Sequence, residues 1–121
     1  MKENTVLIKS KNFAIRIIRL YQYLQNKKKE FILSKQLLRS GTSIGANIRE
    51  GIVAMSKNEF KAKLNISYKE AHETQYWLEL LVETDYLTSK EFDSLNTDCS
   101  ELIKLLTSII KTTNKNVECR M

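Results

Sequence analysis

Leu37-Leu38-Arg39-Ser40-Gly41-Thr42-Ser43-Ile44-Gly45-Ala46-Asn47-Ile48 is the stretch whose reading decides the fold. Within it, Gly41 to Gly45 spell G-x-S-x-G, the pattern of a serine hydrolase elbow. That pattern has a mechanism only where a strand leads in and a helix leads out, so that the turn exposes the serine. Here Ser34 to Ser40 read as the start of a helix, and Ala46 to Glu50 continue one. Leu37, Gly41, Ile44 and Ile48 recur at spacings of 4, 3 and 4, which is one face of a helix. Ser40, Ser43, Gly45 and Ala46 flank that face. A glycine inside a helix costs about 1 kcal/mol relative to alanine. Two of them, four residues apart, point to the close approach of another backbone. The competing reading ends the helix at Gly41 as a C-cap and makes residues 41–47 a loop. The apolar phase carries through to Ile48 and favours the continuous helix, with Gly41, Ile44, Gly45 and Ile48 as packing residues.

Composition agrees with a helical protein. The chain has 121 residues, enough for one domain with one core. It has no proline and only three glycines, which leaves little room for the turns of an all-β fold. No apolar run approaches the roughly 20 residues needed to span a bilayer. The N-terminal apolar segment is too short for a signal peptide. A cytoplasmic location without a membrane partner is expected. Cys99 falls on an apolar helical stripe and Cys119 in a polar tail, so a disulfide between them is poorly motivated in a reducing compartment.

Three more segments show helical periodicity. Val6, Phe13, Ile17, Leu20 and Leu24 form the stripe of the first, widened by Ala14, Ile18 and Tyr21. In the third, Phe60, Leu64, Ser67, Ala71, Thr74, Leu78 and Leu81 alternate at 4-3 spacing, the period of bundle packing. Phe92, Leu95, Cys99, Leu102, Leu106 and Ile109 form the seam of the fourth. Ser34 is a good N-cap for the second helix. Ser56-Lys57-Asn58-Glu59 and Thr88-Ser89-Lys90-Glu91 are capping boxes that open the third and fourth. The expected helices cover about 5–25, 35–54, 57–84 and 89–113, followed by a polar C-terminal tail. Short connections favour antiparallel neighbours, hence an all-α, up-down-up-down four-helix bundle. Tyr68, Tyr76 and Trp77 lie off the third seam. They either cover the core edge or form an oligomer interface.

The stretches Phe13 to Tyr21, Gln36 to Gly51, Ser56 to Phe60 and Lys69 to Leu81 carry a family likeness. On them the chain resembles the S23, or 23S rRNA intervening-sequence, protein family. The most specific runs are Ser40 to Ile48 and Lys69 to Leu81, and the resemblance extends from about residue 9 to residue 112. It implies a four-helix subunit assembled into a ring-like cyclic homopentamer. The chain also looks like the accessory protein of diversity-generating retroelements, which binds a reverse transcriptase and nucleic acid.

Catalytic chemistry finds little footing. The lone histidine, His72, sits in the third helix near Ala71, and a triad with Ser43 would still need an orienting acid, an oxyanion hole and a pocket. The phosphate-loop ending is missing after Gly45. Glu50, Glu70 and Glu73 suggest carboxylate ligation, but no Glu-x-x-His pair accompanies them. Surface pairing, for example Lys69 with Glu73, is the simpler expectation. No catalytic residue, metal or cofactor is expected. Arg39, Asn47, Arg49 and Glu50 read as either a buried polar network or a subunit contact.

Charge carries the functional expectation. Residues 1–69 hold 15 Lys/Arg against 4 Asp/Glu, and residues 70–121 hold 5 against 10. In an up-down-up-down bundle both termini and the second turn share one end. That end collects Lys2, Lys9, Lys11, Arg49, Lys57, Lys61, Lys63, Lys111, Lys115 and Arg120 against Glu3, Glu50, Glu59 and Glu118. The other end balances Lys27, Lys28, Lys29, Lys35 and Lys90 against six acids. A concentrated basic pole suits phosphate contact. The expected function is a non-enzymatic, homo-oligomeric bundle that binds RNA or DNA through Lys9, Lys11, Lys57, Lys61, Lys63, Lys111 and Lys115, as an accessory to a reverse transcriptase or other nucleic-acid enzyme. The alternative is a protein-interaction scaffold without nucleic-acid binding.

Overall fold

The structure, a computed structural model, describes the backbone of residues 2–119 and the side chains of residues 4–115. Its elements are four helices: α1 (Lys2–Asn26), α2 (Leu33–Ile52), α3 (Lys57–Glu83) and α4 (Ser89–Cys119). Cross-helix pairs fix their directions. Gly41 and Gly45 of α2 lie against Ile17 and Ser10 of α1, Ser67 and Thr74 of α3 bond Ile44 and Ser40, Ala71 and Gln75 bond Cys99 and Asn96 of α4, and Lys9 and Arg16 meet Glu101 and Asp98. In every pair one number rises as the other falls, so all neighbours are antiparallel. α1 and α3 each touch α2 and α4, and the diagonal pairs stay apart. This is an up-down-up-down four-helix bundle.

The 4-3 seams meet in its centre. Phe13, Ile17, Leu37, Ile44, Ile48, Leu64, Leu78, Leu81, Leu102 and Leu106 are fully buried. The polar members Ser34, Ser40, Ser67 and Thr74 are buried too. Ser10 is a buried residue that the apolar reading of α1 passed over. It fills the gap between Val6 and Phe13, giving a 4-3-4 run through Ile17. Ile18, expected to widen that stripe, is 38% exposed. One residue turns a helix by about 100°, which carries Ile18 beyond the edge that Ile17 occupies.

α2 runs unbroken through both glycines, and neither has a positive φ. What fills their missing side chains is α1. A Cβ at Gly41 would stand 2.8 Å from both Ile17 Cγ1 and Cγ2. At Gly45 it would stand 3.2 Å from Ser10 Oγ. On its other side α2 is bonded to α3: Ser67 Oγ donates to the Ile44 carbonyl at 2.8 Å, and Thr74 Oγ1 to Ser40 Oγ at 2.9 Å. Small side chains bring the backbones close enough for these bonds.

The start of α2 differs from expectation. The helix begins at Leu33, and Ser34 is not its cap. Glu30 takes that role. Its carboxylate accepts from the backbone N–H groups of Ile32, Leu33 and Ser34 at 3.2, 3.0 and 2.7 Å, and the Ser34 hydroxyl donates to the Glu30 carbonyl at 2.8 Å. Lys29, with φ 55°, turns the chain so that Glu30 lies under those donors. Burial raises the Glu30 pKa, but the bonds from Ser34, Leu33 and Ile32 outweigh it and hold the carboxyl below its ordinary value.

Both capping boxes open their helices. Glu91 N–H donates to Thr88 Oγ1 at 3.1 Å while Glu91 Oε1 accepts from Thr88 N–H at 2.8 Å. Glu59 N–H donates to Ser56 Oγ, but the Glu59 carboxylate accepts from Met55 N–H instead of the serine amide. α4 continues to Cys119 instead of ending at residue 113. Thr112 and Thr113 donate to the carbonyls four residues back, both at 2.9 Å, so these polar residues stay within the helix.

Two predictions follow from these contacts. Gly41→Ala gains helix propensity but forces Ile17 aside, for a net loss of about 1–2 kcal/mol in urea unfolding. Gly45→Ala stays within about 0.5 kcal/mol of the parent, because only the Ser10 hydroxyl must yield. Equal effects at both sites would show that Ile17 is not the constraint. For Glu30→Gln the expected loss is about 1 kcal/mol at pH 7. Because the folded carboxyl is depressed, its stabilisation is present above the unfolded value of about 4.3 and is lost as pH falls through the folded one. The gap between Glu30→Gln and parent therefore closes in acid, and a gap independent of pH would contradict the carboxylate cap.

Candidate nucleic-acid interface

The bundle brings the sequence-predicted cations to one end. Lys9 and Lys11 sit in the N-terminal half of α1, Arg49 in the last turn of α2, Lys57, Lys61 and Lys63 in the first two turns of α3, and Lys111 and Lys115 near the end of α4. The side chains of Lys2, Glu3, Glu118 and Arg120, assigned to the same pole, lie outside the described residues. The cations are not equivalent. Lys9 Nζ is 3.1 Å from Glu101, and Lys63 Nζ is 2.9 Å from Glu50. Glu59, the remaining described acid of that pole, is occupied by the Met55 amide. Lys11, Arg49, Lys57, Lys61, Lys111 and Lys115 form no ion pair among the described residues. Their charge is free to act on a ligand.

Along the sides of the bundle, two arginines are paired between helices. Arg16 Nη1 is 2.6 Å from Asp98, with Nη2 donating to Ser94 Oγ at 2.9 Å, which ties α1 to α4. Arg39 meets Glu70 at 2.9 Å and also Glu73, which ties α2 to α3. Glu73 thus pairs with Arg39 rather than with Lys69 on its own helix. Asn47 Nδ2 donates to the Ser43 carbonyl at 2.8 Å. Of the four polar α2 residues that sequence left open, three act within the subunit, and Arg49 points into a groove. At the opposite pole Lys27, Lys28 and Lys29 are exposed, with Lys28 Nζ 6.0 Å from the Tyr23 ring centroid.

The groove runs between α1 and α2 at the basic end. Leu7, Ser10, Lys11 and Ala14 form one wall, and Thr42, Gly45, Ala46, Arg49 and Glu50 the other, enclosing about 390 Å³. It continues past Ile8, Ile52 and Val53. The sequence signal that could have found it is Ile8, an apolar residue off the α1 seam; Ile15, seven residues on, lines a separate cleft between α1 and α4. Of the aromatics Tyr68, Tyr76 and Trp77, the last two meet with ring centroids 5.3 Å apart, and Tyr68 stands apart from them. Tyr76 is 52% exposed, whereas Tyr68 and Trp77 pack partly against the core. At about 100° per residue, Tyr68 and Trp77 stand on opposite sides of α3.

The chemistry candidates are engaged otherwise. Ser43 Oγ donates to the Arg39 carbonyl at 2.6 Å on its own helix. His72 is exposed and packs edge-on against Tyr68, with centroids 4.7 Å apart. Among the described residues no three His, Cys, Asp or Glu side chains gather as metal ligands, and no helix is long and apolar enough to cross a membrane. Cys99 is buried, and its thiol donates to the Ala71 carbonyl at 3.3 Å. Burial first, and Asp98 second, push the thiol pKa up to about 12. In a Cys119→Ser variant, Cys99 should stay unmodified by a thiol reagent at pH 8 and react once urea unfolds the chain. Rapid labelling in the folded state would contradict that burial.

Comparison with known proteins places this geometry. The sequence profile of the family described as 23S rRNA-intervening sequence protein matches residues 2–108. A solved structure from Bacteroides thetaiotaomicron, a protein of unknown function from the S23 ribosomal protein family, is 58% identical in sequence. The match covers 92% of this chain and 99% of that one, with a TM-score of 0.91. No curated protein matches the chain.

Proposed function

This chain belongs to the 23S rRNA-intervening sequence protein family, and on that premise we propose that it is a non-enzymatic, homo-oligomeric bundle that binds nucleic acid through its basic pole. The observation that carries the reading is the gathering of cations at one end. On the bundle sides Arg16 and Arg39 are held by acids of a neighbouring helix and Arg19, Lys69 and Lys104 stand singly, whereas Lys11, Arg49, Lys57, Lys61, Lys111 and Lys115 share one end with no ion pair among the described residues. Unpaired lysines and arginines attract phosphates and release their counterions on binding. All four helices contribute, so the charge spreads over the end of the bundle and favours backbone contact over base reading. A cyclic assembly, five subunits by resemblance, multiplies the pole into a basic ring. In that form the protein serves in the cytoplasm as an accessory to a nucleic-acid enzyme such as a reverse transcriptase.

A scaffold without nucleic-acid binding is the second reading, favoured by the exposed Ile8, Val53 and Met55 at the same end. Salt-dependent gel shift with labelled RNA and DNA separates the two. Replacing Lys57, Lys61 and Lys111 by Gln should weaken binding about tenfold or more and flatten the salt slope by roughly 0.7–0.9 per lost phosphate contact. Replacing Lys27, Lys28 and Lys29 by Gln is the control, an equal charge change at the opposite pole. Similar losses from both triples would reduce the effect to net charge. No binding at low salt would hand the reading to the scaffold.

A further inference from the structure

We propose that the α1–α2 groove receives the outer face of α3 from a second copy of the chain, so that copies join head to tail. This rests on the homo-oligomeric reading above and assigns its two contact surfaces.

A bundle that buries four inward seams needs no apolar stripe on its outside. α1 nevertheless carries Ile8, Ile15 and Ile18 there, 62%, 47% and 38% exposed. Ile8 and Ile15 are seven residues apart and lie almost opposite the buried seam, because seven residues are close to two helical turns. α3 carries a second stripe as well: Ala62, Ile66, Lys69, Glu73, Tyr76 and Leu80, at spacings of 4-3-4-3-4. Ile66 and Tyr76 on it are 42% and 52% exposed. α4 is different, since its outer positions Asp93, Thr97, Lys104 and Lys111 are all polar. The apolar excess is therefore confined to particular faces, as expected of interfaces.

The shapes and charges of these faces are complementary. On α2 the groove is floored by Thr42, Gly45 and Ala46, side chains too small to fill it. Such a slot accepts a helix. α3 offers a helical ridge with Tyr76 and Leu80 on it, and tyrosine is a frequent interface anchor. The groove holds Lys11, Arg49 and Glu50, of which Glu50 is taken up by Lys63. The ridge carries Lys69 and Glu73 in its middle, with Glu73 taken up by Arg39, and Glu79 and Glu83 flank its far half. Lys11, Arg49, Glu79 and Glu83 have no ion pair among the described residues. Groove against groove would oppose like charges, as would ridge against ridge. Groove against ridge joins opposite ones, which makes the contact heterologous; in that assembly Lys11 and Arg49 serve the subunit contact, and Lys57, Lys61, Lys111 and Lys115 remain for nucleic acid. A heterologous contact closes into a ring or extends into a filament. The groove lies toward one end of the bundle and Glu79 and Glu83 toward the other. A closed ring accommodates that offset by tilting each bundle against the symmetry axis.

The test uses two variants at exposed positions, Ala46→Glu in the groove and Tyr76→Glu on the ridge, with folding confirmed by thermal melts. Sizes are measured by light scattering at micromolar concentration. Each variant alone should be a monomer. Mixed in equal amounts they should form a 1:1 dimer and nothing larger, because the mixture holds one intact groove facing one intact ridge. Lys104→Glu on the polar face of α4 should leave the parent oligomer unchanged. A monomeric parent would remove the homo-oligomeric reading, and this assignment with it. A parent oligomer that neither variant disturbs would overturn this assignment alone and leave the groove to another occupant. Variants that each still dimerise alone would indicate a symmetric contact. Variants that stay monomeric when mixed would also defeat the head-to-tail arrangement.

Discussion

Ile17 of α1 rests where Gly41 of α2 has no side chain, and on the opposite flank of α2 the hydroxyls of Ser40, Ser67 and Thr74 lie within bonding reach of backbone or of one another. The rest of the bundle depends on this double approach. α2 is clamped between α1 and α3, and at these contacts its own side is glycine, serine or a backbone carbonyl. A larger residue at Gly41 would push α1 outward, and the α1–α4 contact through Arg16 and Asp98 would open with it. The glycines lower helix propensity by about 1 kcal/mol each, which the close contact at Gly41 offsets. The buried hydroxyls fix the register of α2 on α3, since each bond exists at one axial position only. The same small side chains reach the surface at Thr42 and Ala46 and leave the groove there.

Electrostatics divide the molecule into two regimes. Along the bundle sides Arg16 and Arg39 each find a carboxylate on the next helix, and such exposed pairs contribute at most about 1 kcal/mol each. Their larger effect is to leave little net charge on those faces. Among the described residues the pole at the α2–α3 turn has fewer acids than cations: Glu50 pairs with Lys63, and Glu59 faces the Met55 amide. A phosphate ligand would meet there cations from all four helices at once, whereas at the opposite pole Lys27, Lys28 and Lys29 share their end with Glu79, Glu83, Asp85, Glu91 and Asp93. Basic composition alone would not have located that end.

The outer faces are equally uneven. α4 is polar outside, whereas α1 and α3 carry apolar residues that their inward seams do not require. One helix, α3, therefore serves the subunit core with one stripe and presents another outward. The 4-3 spacing repeats on both, so period alone does not distinguish a core seam from a docking ridge. Exposure in the folded bundle does.

By itself the sequence determined the four helices, their inward seams and their antiparallel order. These follow from local rules: apolar period, capping boxes at Ser56 and Thr88, and connections too short for anything but a reversal. It also determined that residues 1–69 are basic, and hence that one pole would be, once the topology was drawn. Other features are products of tertiary contact. The cap of α2 is Glu30 because a left-handed Lys29 carries its carboxylate under three amides, a geometry that no spacing rule encodes. Ser10 belongs to the core because Gly45 lies against it. Lys9 and Lys63 are neutralised while Lys11 and Lys61 are not, although they sit two residues apart on the same helices. Two residues turn a helix by about 200°, so one lysine faces a neighbouring helix that carries an acid and the other does not. Which charges stay free is decided by what stands across the interface, and only the folded bundle places that partner.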